Sequence, residues 1–573
     1  MSIQFETGGV PGVFVASAGP LRAGLIFRVG EVDEPLARRG VTRLIEHLVR
    51  HAVTDADQDD ATAPDLTEFH TEGSAEQVRA FLAGVCAALR ELPADRLAVA
   101  RDLVHAEYAA RHDGAAAAMP IWRHGAHGYG LTAYPRFGLD GLQAEDLKIW
   151  TNDYFVRGNA ALWVSGPHLP ADLGVDLPAG DRRPAPATPT LPATPGYFPG
   201  PDGVIVWDAV VPRETAAVVF TQLLARALHR TLRVDGGLSY TATAGYAPRA
   251  DGTALITALA DGLPEKQDAV LAGLLGVLDR LRHGDIDEAE LATVVTLCAD
   301  GLTQAAGQGA GARSQAIDLL LGRPPAEPNE LLSETRAVTR ADVTRVARAA
   351  FAAGLLQKPG RPDTGPPGWT PAPVASTAPI DGDVFPSLAD PARTRVIIGA
   401  EGASMVLGET AATVRFDACA AVLAWPDGAR RLIGDDGVTV HLEPTMFHRL
   451  AAAIPTLDGR VPAGLRAAMA VRDPAAVPQP QLRLPTITAP APPAGAFTGP
   501  PPSRWTWRGY LVNLVLCVGV IAGFATGALD PAQVRAPSGS HPLDNLPAVL
   551  IVVAMVGARA VWAARGLLRL YRH

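Results

Sequence analysis

Hydrophobic and polar positions alternate with two different periods along the first part of the chain. Residues 41–53 repeat apolar positions every three or four residues, as an amphipathic helix does, and 75–92 and 94–112 follow the same period. Shorter runs that are almost wholly apolar, at 160–166 and 204–211, are typical of buried strands. Strands and helices therefore alternate along this part of the chain, which predicts an α+β protein.

The alternating pattern occurs twice, and Pro-rich stretches separate the two copies from each other and from the C-terminal part of the chain. Pro-rich segments favour extended spacers over packed cores, so they mark domain boundaries. The similar size and element order of the two copies indicate an internal duplication. We expect seven segments in this order: an α+β domain at 1–178, a linker at 179–199, an α+β domain at 200–356, a Pro-rich linker at 357–384, a small mostly-β domain at 385–472, a Pro-rich linker at 473–508, and a pair of apolar segments at 509–528 and 543–562.

Short strand-like runs fill the predicted small domain at 385–472. Turn signals separate these runs, with PDG at 426–428 and DDG at 435–437, and a helical stretch comes after them at 445–454. The pattern resembles that of bacterial pleckstrin-homology-like domains, which implies a small sheet with a late helix. An unrelated small β-barrel is the alternative interpretation.

The C-terminal part of the chain contains two long apolar runs. Residues 509–528 carry no charge, and 543–562 carry Arg559 near the end, from where its side chain can reach a membrane interface. About 20 apolar residues suffice to cross roughly 30 Å of hydrocarbon. Because Arg residues flank the pair of runs, the positive-inside rule predicts a cell-membrane hairpin with the turn at 529–542 outside and the bulk of the chain cytoplasmic. Two buried core helices are the alternative.

Overall composition excludes some classes of protein. The hydrophobic share of 48% argues against a disordered chain, and the net charge of −9 argues against a nucleic-acid partner. The four cysteines form no C-x-x-C pair and suggest no disulfide framework, which fits a reducing compartment. The first residues, MSIQFETGGVPG, lack a basic stretch followed by a long apolar core, so no secretory signal is expected there.

The best chemical motif lies in the first amphipathic helix. Residues 40–47 read GVTRLIEH and come after the stretch VGEVDEPLARR. This segment resembles the pitrilysin/insulinase family of inverted-zinc metallopeptidases, whose pattern is a strand, a Gly/acid stretch and a helix that carries H-x-x-E-H. The resemblance covers 1–355. It implies two tandem pitrilysin-like, mitochondrial-processing-peptidase-like α/β sandwich domains, followed here by the small mostly-β domain and a transmembrane helical hairpin.

The resemblance implies roles for four residues of the first domain. Glu46 matches the family's general base, His47 matches the second metal ligand, and Glu107 matches the ligand from a later helix. Arg43 stands where the family has its first His ligand. A guanidinium stays protonated and offers no lone pair to zinc. The site is therefore expected to be vestigial and to hold no cofactor, with zinc as the cofactor if the protein is active.

Three interpretations of these residues stay open. Arg43 forms an ion pair with Glu46 or Glu107 and places a fixed positive charge where the metal would lie. Alternatively, His47, His51 and Glu107 form a rearranged ligand set, and the protein is an active zinc metalloendopeptidase. The third possibility is that Glu46 and His47 are ordinary polar positions left over from an ancestor.

A second stretch supports the same resemblance. Residues 230–246 are similar to the family's C-terminal-domain segment, in which an Arg and a Tyr seven positions apart contact the substrate main chain, and these match Arg233 and Tyr240. The pair could equally stabilise a local turn. Two domains cannot enclose a chamber alone, so the resemblance implies a membrane-tethered, catalytically degenerate, metallopeptidase-like protein. Such a protein would bind a peptide or pair with a related peptidase subunit or a second copy. A membrane adaptor that acts through the β domain is the alternative.

Overall fold

Three packed units, each with its own β-strands, make up the fold. A computed structural model describes the chain over residues 2–53, 63–110, 114–307, 311–360 and 365–480. We call the units the first α/β unit (2–166), the second α/β unit (196–371) and the β unit (383–468).

The first α/β unit is a five-stranded sheet with helices packed on one face. The strand order is β1-β2-β5-β3-β4, in which β2 and β5 run parallel and the other neighbours run antiparallel. Apolar residues of the sheet and of α1, α2 and α3 form one core, which sets α1 beside α3. The elements are β1 (Ser2–Thr7), β2 (Val10–Ala16), β3 (Leu21–Phe27), α1 (Val41–Val53), β4 (Thr67–Gly73), α2 (Ala75–Arg90), α3 (Leu97–Ala110), α4 (Met119–His124), α5 (Ala144–Tyr154) and β5 (Ala160–Gly166).

The second α/β unit repeats this topology. Its sheet has the order β11-β6-β10-β7-β9-β8, and the run β6-β10-β7-β9 matches β2-β5-β3-β4 in both order and direction. Strand β6 lies in the stretch that the sequence pattern assigned to the 179–199 linker. The elements are β6 (Gly196–Pro199), β7 (Val204–Pro212), α6 (Thr215–Leu228), β8 (Ala242–Pro248), β9 (Thr253–Asp261), α7 (Gln267–His283), α8 (Glu288–Gly307), α9 (Gly311–Leu320), α10 (Pro328–Ala337), α11 (Arg340–Ala352), β10 (Gly354–Lys358) and β11 (Thr370–Pro371).

Each α/β unit contributes a short helix to the sheet of the other. Helix α9 of the second unit packs on β2 and β5 of the first, where Ala312 and Ala316 lie fully buried near Trp163. In return, Met119 of α4 packs against Phe198 of the second sheet. Small residues on α9 allow the helix to approach the sheet closely. The two units therefore share their cores.

A buried ion pair joins the two α/β units at the same place. Arg123 donates from Nε to Asp208 Oδ1 at 2.9 Å and from Nη2 to the Asp208 carbonyl oxygen at 2.9 Å. Nη2 also donates to the Ala353 carbonyl oxygen at 3.1 Å. Both charged side chains are almost completely buried. Burying charges is tolerated only when hydrogen bonds satisfy them, so this pair fixes the geometry of the contact.

The β unit contains two four-stranded sheets and one helix. The sheets have the orders β12-β13-β14-β15 and β18-β17-β16-β19, and Leu450, Ile454 and Leu457 of α12 pack into the core between them. Leu423 of β16 and Ala467 of β19 pack in turn against the first α/β unit. The elements are β12 (Asp383–Pro386), β13 (Thr394–Ile398), β14 (Gly402–Leu407), β15 (Thr410–Arg415), β16 (Cys419–Ala424), β17 (Arg430–Gly434), β18 (Thr439–Leu442), α12 (Leu450–Arg460) and β19 (Arg466–Ala468).

No helix within the described ranges is long and apolar enough to cross a membrane. The two predicted spans, 509–528 and 543–562, lie outside the described residues, as does the predicted turn at 529–542.

Candidate functional site

The N-terminus of α1 is held by a carboxylate from the preceding loop. Glu34 accepts the backbone N–H of Gly40 through Oε2 and that of Thr42 through Oε1, each at 2.8 Å. Gly40 has a φ of 107°, which a side chain would strain, and its carbonyl oxygen accepts the first helical hydrogen bond, from Leu44. These two hydrogen bonds satisfy free N–H groups at the helix end, which fixes where α1 begins and thus where its first turns point.

Burial controls the ionisation of Glu34. The side chain is almost completely inaccessible to solvent, and this burial together with the nearby charge of Glu31 raises the pKa of the Glu34 carboxyl to about 7. The charge of Arg39 and the two backbone N–H groups act in the opposite direction but do not outweigh burial. The group that caps the site helix therefore titrates near neutral pH.

Arg43 lies at the centre of the site and contacts both acidic residues of the motif. It pairs with Glu107 in a bidentate arrangement, with Nε 3.0 Å from Oε2 and Nη2 2.8 Å from Oε1. Its third nitrogen, Nη1, donates to Glu46 Oε2 at 2.8 Å. Glu46 is fully buried, and only 16% of the Arg43 side chain is exposed. The structure thus confirms the expected ion pair, with both acids rather than one.

His47 completes the cluster. Its Nε2 lies 2.7 Å from Oε1 of Glu107. Burial raises the pKa of the Glu107 carboxyl, but the hydrogen bonds from His47 and Arg43 and the charge of Arg43 outweigh it and hold the pKa at about 2. The same contacts raise the pKa of Arg43 against the opposing effect of burial. Both partners therefore stay charged over the whole physiological range.

Further charged residues surround this cluster, and the motif did not identify them. Glu31 accepts hydrogen bonds from Arg39 at 2.8 Å and from Arg136 at 2.9 Å, and Arg136 Nη1 lies 3.9 Å from Glu107 Oε2. Burial raises the pKa of Glu31, but the two Arg charges outweigh it and lower the pKa below its usual value. Positive and negative groups therefore alternate from α1 to the loop that precedes it.

Arg50 extends this alternation to the sheet. Its Nη2 donates to Glu46 Oε1 at 3.0 Å and reaches the carbonyl oxygen of Glu68 on β4 at 3.4 Å. Arg50 lies four residues after Glu46 on the same helix, so the i, i+4 rule could have found it. No such signal links Arg136 to Glu107, because the contact depends on tertiary packing.

The donor set does not fit the family's zinc ion. Arg43 cannot coordinate a metal, and its guanidinium engages both carboxylates that flank the position. Zinc ligands at about 2.0–2.2 Å in tetrahedral geometry lie about 3.3 Å apart, whereas His47 and Glu107 approach to 2.7 Å and contact each other. Among the described residues, no group of three or more His, Cys, Asp and Glu side chains is arranged to hold a metal ion.

The rearranged ligand set gains no support from this geometry. His51 is exposed at the end of α1, one turn beyond His47. The nearby His105 faces another partner, since its Nε2 lies 2.7 Å from Asp140 Oδ1. The cluster at Glu107 consists of Arg43, His47 and the more distant Arg136.

Arg233 and Tyr240 lie together on the second α/β unit. Arg233 belongs to a π-helical turn at His229–Asp235, and its guanidinium carbon lies 4.7 Å from the centre of the Tyr240 ring. The Tyr240 side chain is 77% exposed, and Asp261 accepts its backbone N–H at 2.8 Å. A cation over an aromatic face is a weakly favourable contact. The structure therefore brings these two residues to each other on an accessible turn.

The fold matches solved structures at low sequence identity. A protease from Helicobacter pylori has a TM-score of 0.53 at 17% identity, over 63% of this chain and 100% of that chain. The peptidase M16 inactive domain from Pseudomonas fluorescens has a TM-score of 0.51 at 17% identity, over 63% and 98%. A chain of complex III2 from Candida albicans has a TM-score of 0.52 at 14% identity, over 62% and 95%. No family model and no curated protein sequence matches this chain.

Over the 63% of this chain that the protease and the M16 domain cover, the fold is therefore mixed α/β and of the M16, or pitrilysin-like, type. At these identities the likeness concerns the fold, and both a protease and an inactive domain share it. The expected fold is confirmed at this level. The individual roles of Glu46, His47 and Glu107 depend on the local geometry described above.

Proposed function

We propose that this protein is a catalytically degenerate, metallopeptidase-like chain that binds a peptide or pairs with a related subunit. The observation that carries the proposal is the position of Arg43, which bridges Glu46 and Glu107 in place of a metal. A unit charge about 4 Å from a divalent cation costs on the order of 8 kcal/mol at an effective dielectric near 20, before screening and relaxation. Without a metal-polarised water, Glu46 has no nucleophile to activate.

Metal analysis and peptidase assays of the purified full chain test this proposal. We expect substoichiometric zinc and no peptide cleavage. The substitution Arg43→His restores the i, i+4 pair of His residues beside Glu107, so it should raise the zinc content. The matched control is Arg22→His, which changes an exposed Arg in the same unit and should leave the zinc content unchanged. Near-stoichiometric zinc in the unsubstituted chain, lost in His47→Ala, would instead support an active zinc peptidase.

The pairing part of the proposal is supported by the second α/β unit. Arg233 and the exposed Tyr240 offer a cation and an aromatic face to a second chain or to a peptide. We expect purified protein to form a dimer, either alone or with a related subunit, and Tyr240→Ala to weaken it. Light scattering after size-exclusion chromatography measures the effect. Val234→Ala, on the same turn and also exposed, is the control. If Tyr240→Ala left the dimer unchanged, Arg233 and Tyr240 would not contribute to pairing.

Two further parts of the proposal concern the membrane anchor and the β unit. We infer that 509–528 and 543–562 anchor the chain, because each has the length and apolarity of a membrane span. The order of four strands, three strands and a helix in the β unit supports the pleckstrin-homology-like interpretation. Residues 385–472 contain as many Arg as acidic residues, and Arg430 and Arg472 pair with carboxylates. This balance favours a protein partner over an anionic lipid surface for the adaptor alternative.

A further inference from the structure

A large cavity lies in the second α/β unit, away from the Arg43 site. Its volume is about 1020 Å³, which is at the upper end of the size usual for small-molecule sites. Residues of α6, α8, α9, α10 and β8 line it. Of these helices, α6 and α8 have the same place in the repeated topology as α1 and α3 have in the first unit. Charged side chains bridge α1 and α3, whereas α6 and α8 enclose a space.

The walls of this cavity are largely apolar. Side chains from α6, α8 and α10 contribute aliphatic and thiol surface, and Leu297 is 54% exposed although it faces this concave region. A built Cβ on Gly301 of α8 would meet no atom within 4 Å, so the wall has free space beside it. The apolar lining residues are Val218, Val219, Val294, Leu297, Cys298 and Leu331.

Two arginines and one carboxylate line one end of the cavity. Arg213 and Arg323 flank Asp318, with nitrogen to oxygen distances of 3.5 Å and 3.3 Å. Nε of Arg323 makes the 3.3 Å contact with Asp318, whereas its Nη2, which is shielded from solvent, has no hydrogen-bond partner among the described residues. Burial and the charge of Arg213 lower the pKa of Arg323, and the opposing effects of Asp318 and Asp65 do not outweigh them.

The other charged residues that line the cavity have partners. Glu214 accepts two hydrogen bonds from Arg345, at 2.9 and 2.8 Å. Arg226 lies 3.6 Å from Glu290, and Glu334 accepts the hydroxyl of Thr215 at 3.0 Å. Among the charged lining residues, the donor without a partner, Nη2 of Arg323, therefore lies at the end formed by Arg213 and Arg323.

We propose that this cavity binds an aliphatic monocarboxylate, with its carboxylate at Arg213 and Arg323 and its chain along α8. A guanidinium presents N–H donors that match a carboxylate, and Nη2 of Arg323, which lacks a partner, supplies donors here. Asp318 and Asp65 already oppose the two cations, so a monoanion suits this end better than a phosphate. The aliphatic chain of the ligand removes apolar surface of Leu297 from water. This site shares no residue with the Arg43 cluster and does not depend on the proposed function.

Displacement of a fluorescent fatty acid from the full chain tests the inference. The probe is 11-(dansylamino)undecanoic acid, and the competitors are decanoate, decanol and decyltrimethylammonium, which share one chain length and differ in head-group charge. We expect decanoate to bind at least tenfold more tightly than decanol and the cation to compete least. Equal affinities of the three competitors would overturn the role of the arginines. Tighter displacement by an apolar tripeptide with a free carboxylate than by decanoate would assign the cavity to a peptide.

Two pairs of variants test the contact with the ligand's head group and the contact with its aliphatic chain separately. Arg323→Gln should weaken decanoate at least tenfold and leave decanol unchanged, whereas Arg336→Gln, which changes an exposed Arg on α10, should change neither. Gly301→Phe should fill the free space and abolish binding of both ligands, whereas Gly301→Ala should preserve it. Because the space beside Gly301 is open, Gly301→Phe is expected to fold, which its circular dichroism and melting temperature check. Unchanged decanoate affinity in both Arg323→Gln and Gly301→Phe would refute the site.

Alkylation of Cys298 provides a readout that needs no fluorescent probe. This thiol lines the cavity, and burial raises its pKa, so its reaction with N-ethylmaleimide is expected to be slow but measurable. Decanoate should slow it at least fivefold, as measured by mass spectrometry of the peptide that contains Cys298. The buried Cys86 and Cys419 serve as internal controls and should not respond. Equal rates with and without decanoate would contradict binding beside α8.

Discussion

Arg43 changes the chemistry of the site while leaving the helix that carries it intact. The side chain satisfies a fully buried carboxylate, Glu46, and a partly exposed one, Glu107, with three hydrogen bonds. A zinc ion would neutralise the same carboxylates. A guanidinium at this position supplies one positive charge where a divalent metal would supply two, and it offers no electrophile for hydrolysis.

Removal of Arg43 should destabilise the first α/β unit. In Arg43→Met, the buried Glu46 keeps only part of its compensation, so we expect a loss of roughly 3 kcal/mol in the free energy of unfolding. Urea unfolding followed by circular dichroism measures this loss, and adding Glu107→Gln should recover part of it. Arg22→Met is the control. It breaks an ion pair with Glu72 in which both side chains are about half exposed, and the loss there should stay below about 1 kcal/mol.

Glu34 should make stability depend on pH between about 4.5 and 7. With its pKa raised to about 7, the folded chain keeps a proton that the unfolded chain loses near 4.5. The contribution of Glu34 to stability is therefore complete below 4.5 and is lost as the pH rises through 7, by on the order of 3 kcal/mol. Urea unfolding of the unsubstituted chain and Glu34→Gln across this range should show the unsubstituted chain losing stability relative to the variant as the pH rises. A pH-independent difference would contradict the assignment.

At the scale of the elements, the exchange of short helices couples the two α/β units. Helix α9 comes after α8 in the second unit, yet its buried face lies on β2 and β5 of the first. Removal of α9 would expose Trp163 and its neighbours on that sheet face. Stability of the first sheet is therefore expected to depend on residues more than 140 positions away from it.

The substitution Ala316→Glu tests this coupling. Ala316 is completely buried, so the new carboxylate would lie unpaired against the sheet at a cost of roughly 3 kcal/mol or more. We expect faster amide hydrogen exchange in β2 and β5, measured by mass spectrometry. Ala292→Glu, at an exposed position on α8, should leave exchange there unchanged. Faster exchange confined to the second unit would show that α9 does not support the first sheet.

At the scale of the whole molecule, the β unit packs beside the loops that support the site. Leu423 and Ala467 contact the cluster that contains Leu36, Ala37 and Tyr134. Tyr134 also accepts a hydrogen bond from Arg39 through its carbonyl oxygen. Because Arg39 pairs with Glu31, the β unit is connected to the charged network through one intervening layer of side chains.

The expected membrane topology can be tested on intact cells. Ser538→Cys, in the predicted external turn, should react with a membrane-impermeant maleimide added outside. Ala400→Cys is exposed on the β unit and should react only after lysis, because the bulk of the chain is expected in the cytoplasm. Mass spectrometry of the labelled peptides measures both. Labelling of residue 400 from outside intact cells would show that the predicted orientation is wrong.

Where the apolar pattern is strong, local periodicity predicted both the element and its bounds. The helix at 41–53 and the strand at 160–166 have the bounds that the sequence predicts. The helix predicted at 445–454 instead spans Leu450–Arg460, because Arg449 adopts a left-handed φ of 60°. Before it, Phe447 forms a β-bridge with Ser387, the residue that follows β12. Backbone conformation at one residue decided that boundary, and the apolar pattern does not record it.

The sequence by itself determined that Arg43 cannot coordinate a metal, since the chemistry of a guanidinium does not depend on the fold. The i, i+4 positions of the motif also placed Arg43 and His47 on one face of α1. Only the tertiary structure decided that Arg43 bridges Glu46 and Glu107 and that Arg136 supports them from 29 residues beyond Glu107. The tertiary structure alone also decided that α4 and α9 each pack on the sheet of the other unit, and that a cavity lies between α6 and α8. Periodicity reports which face of an element is buried, whereas long-range packing selects the surface that this face meets.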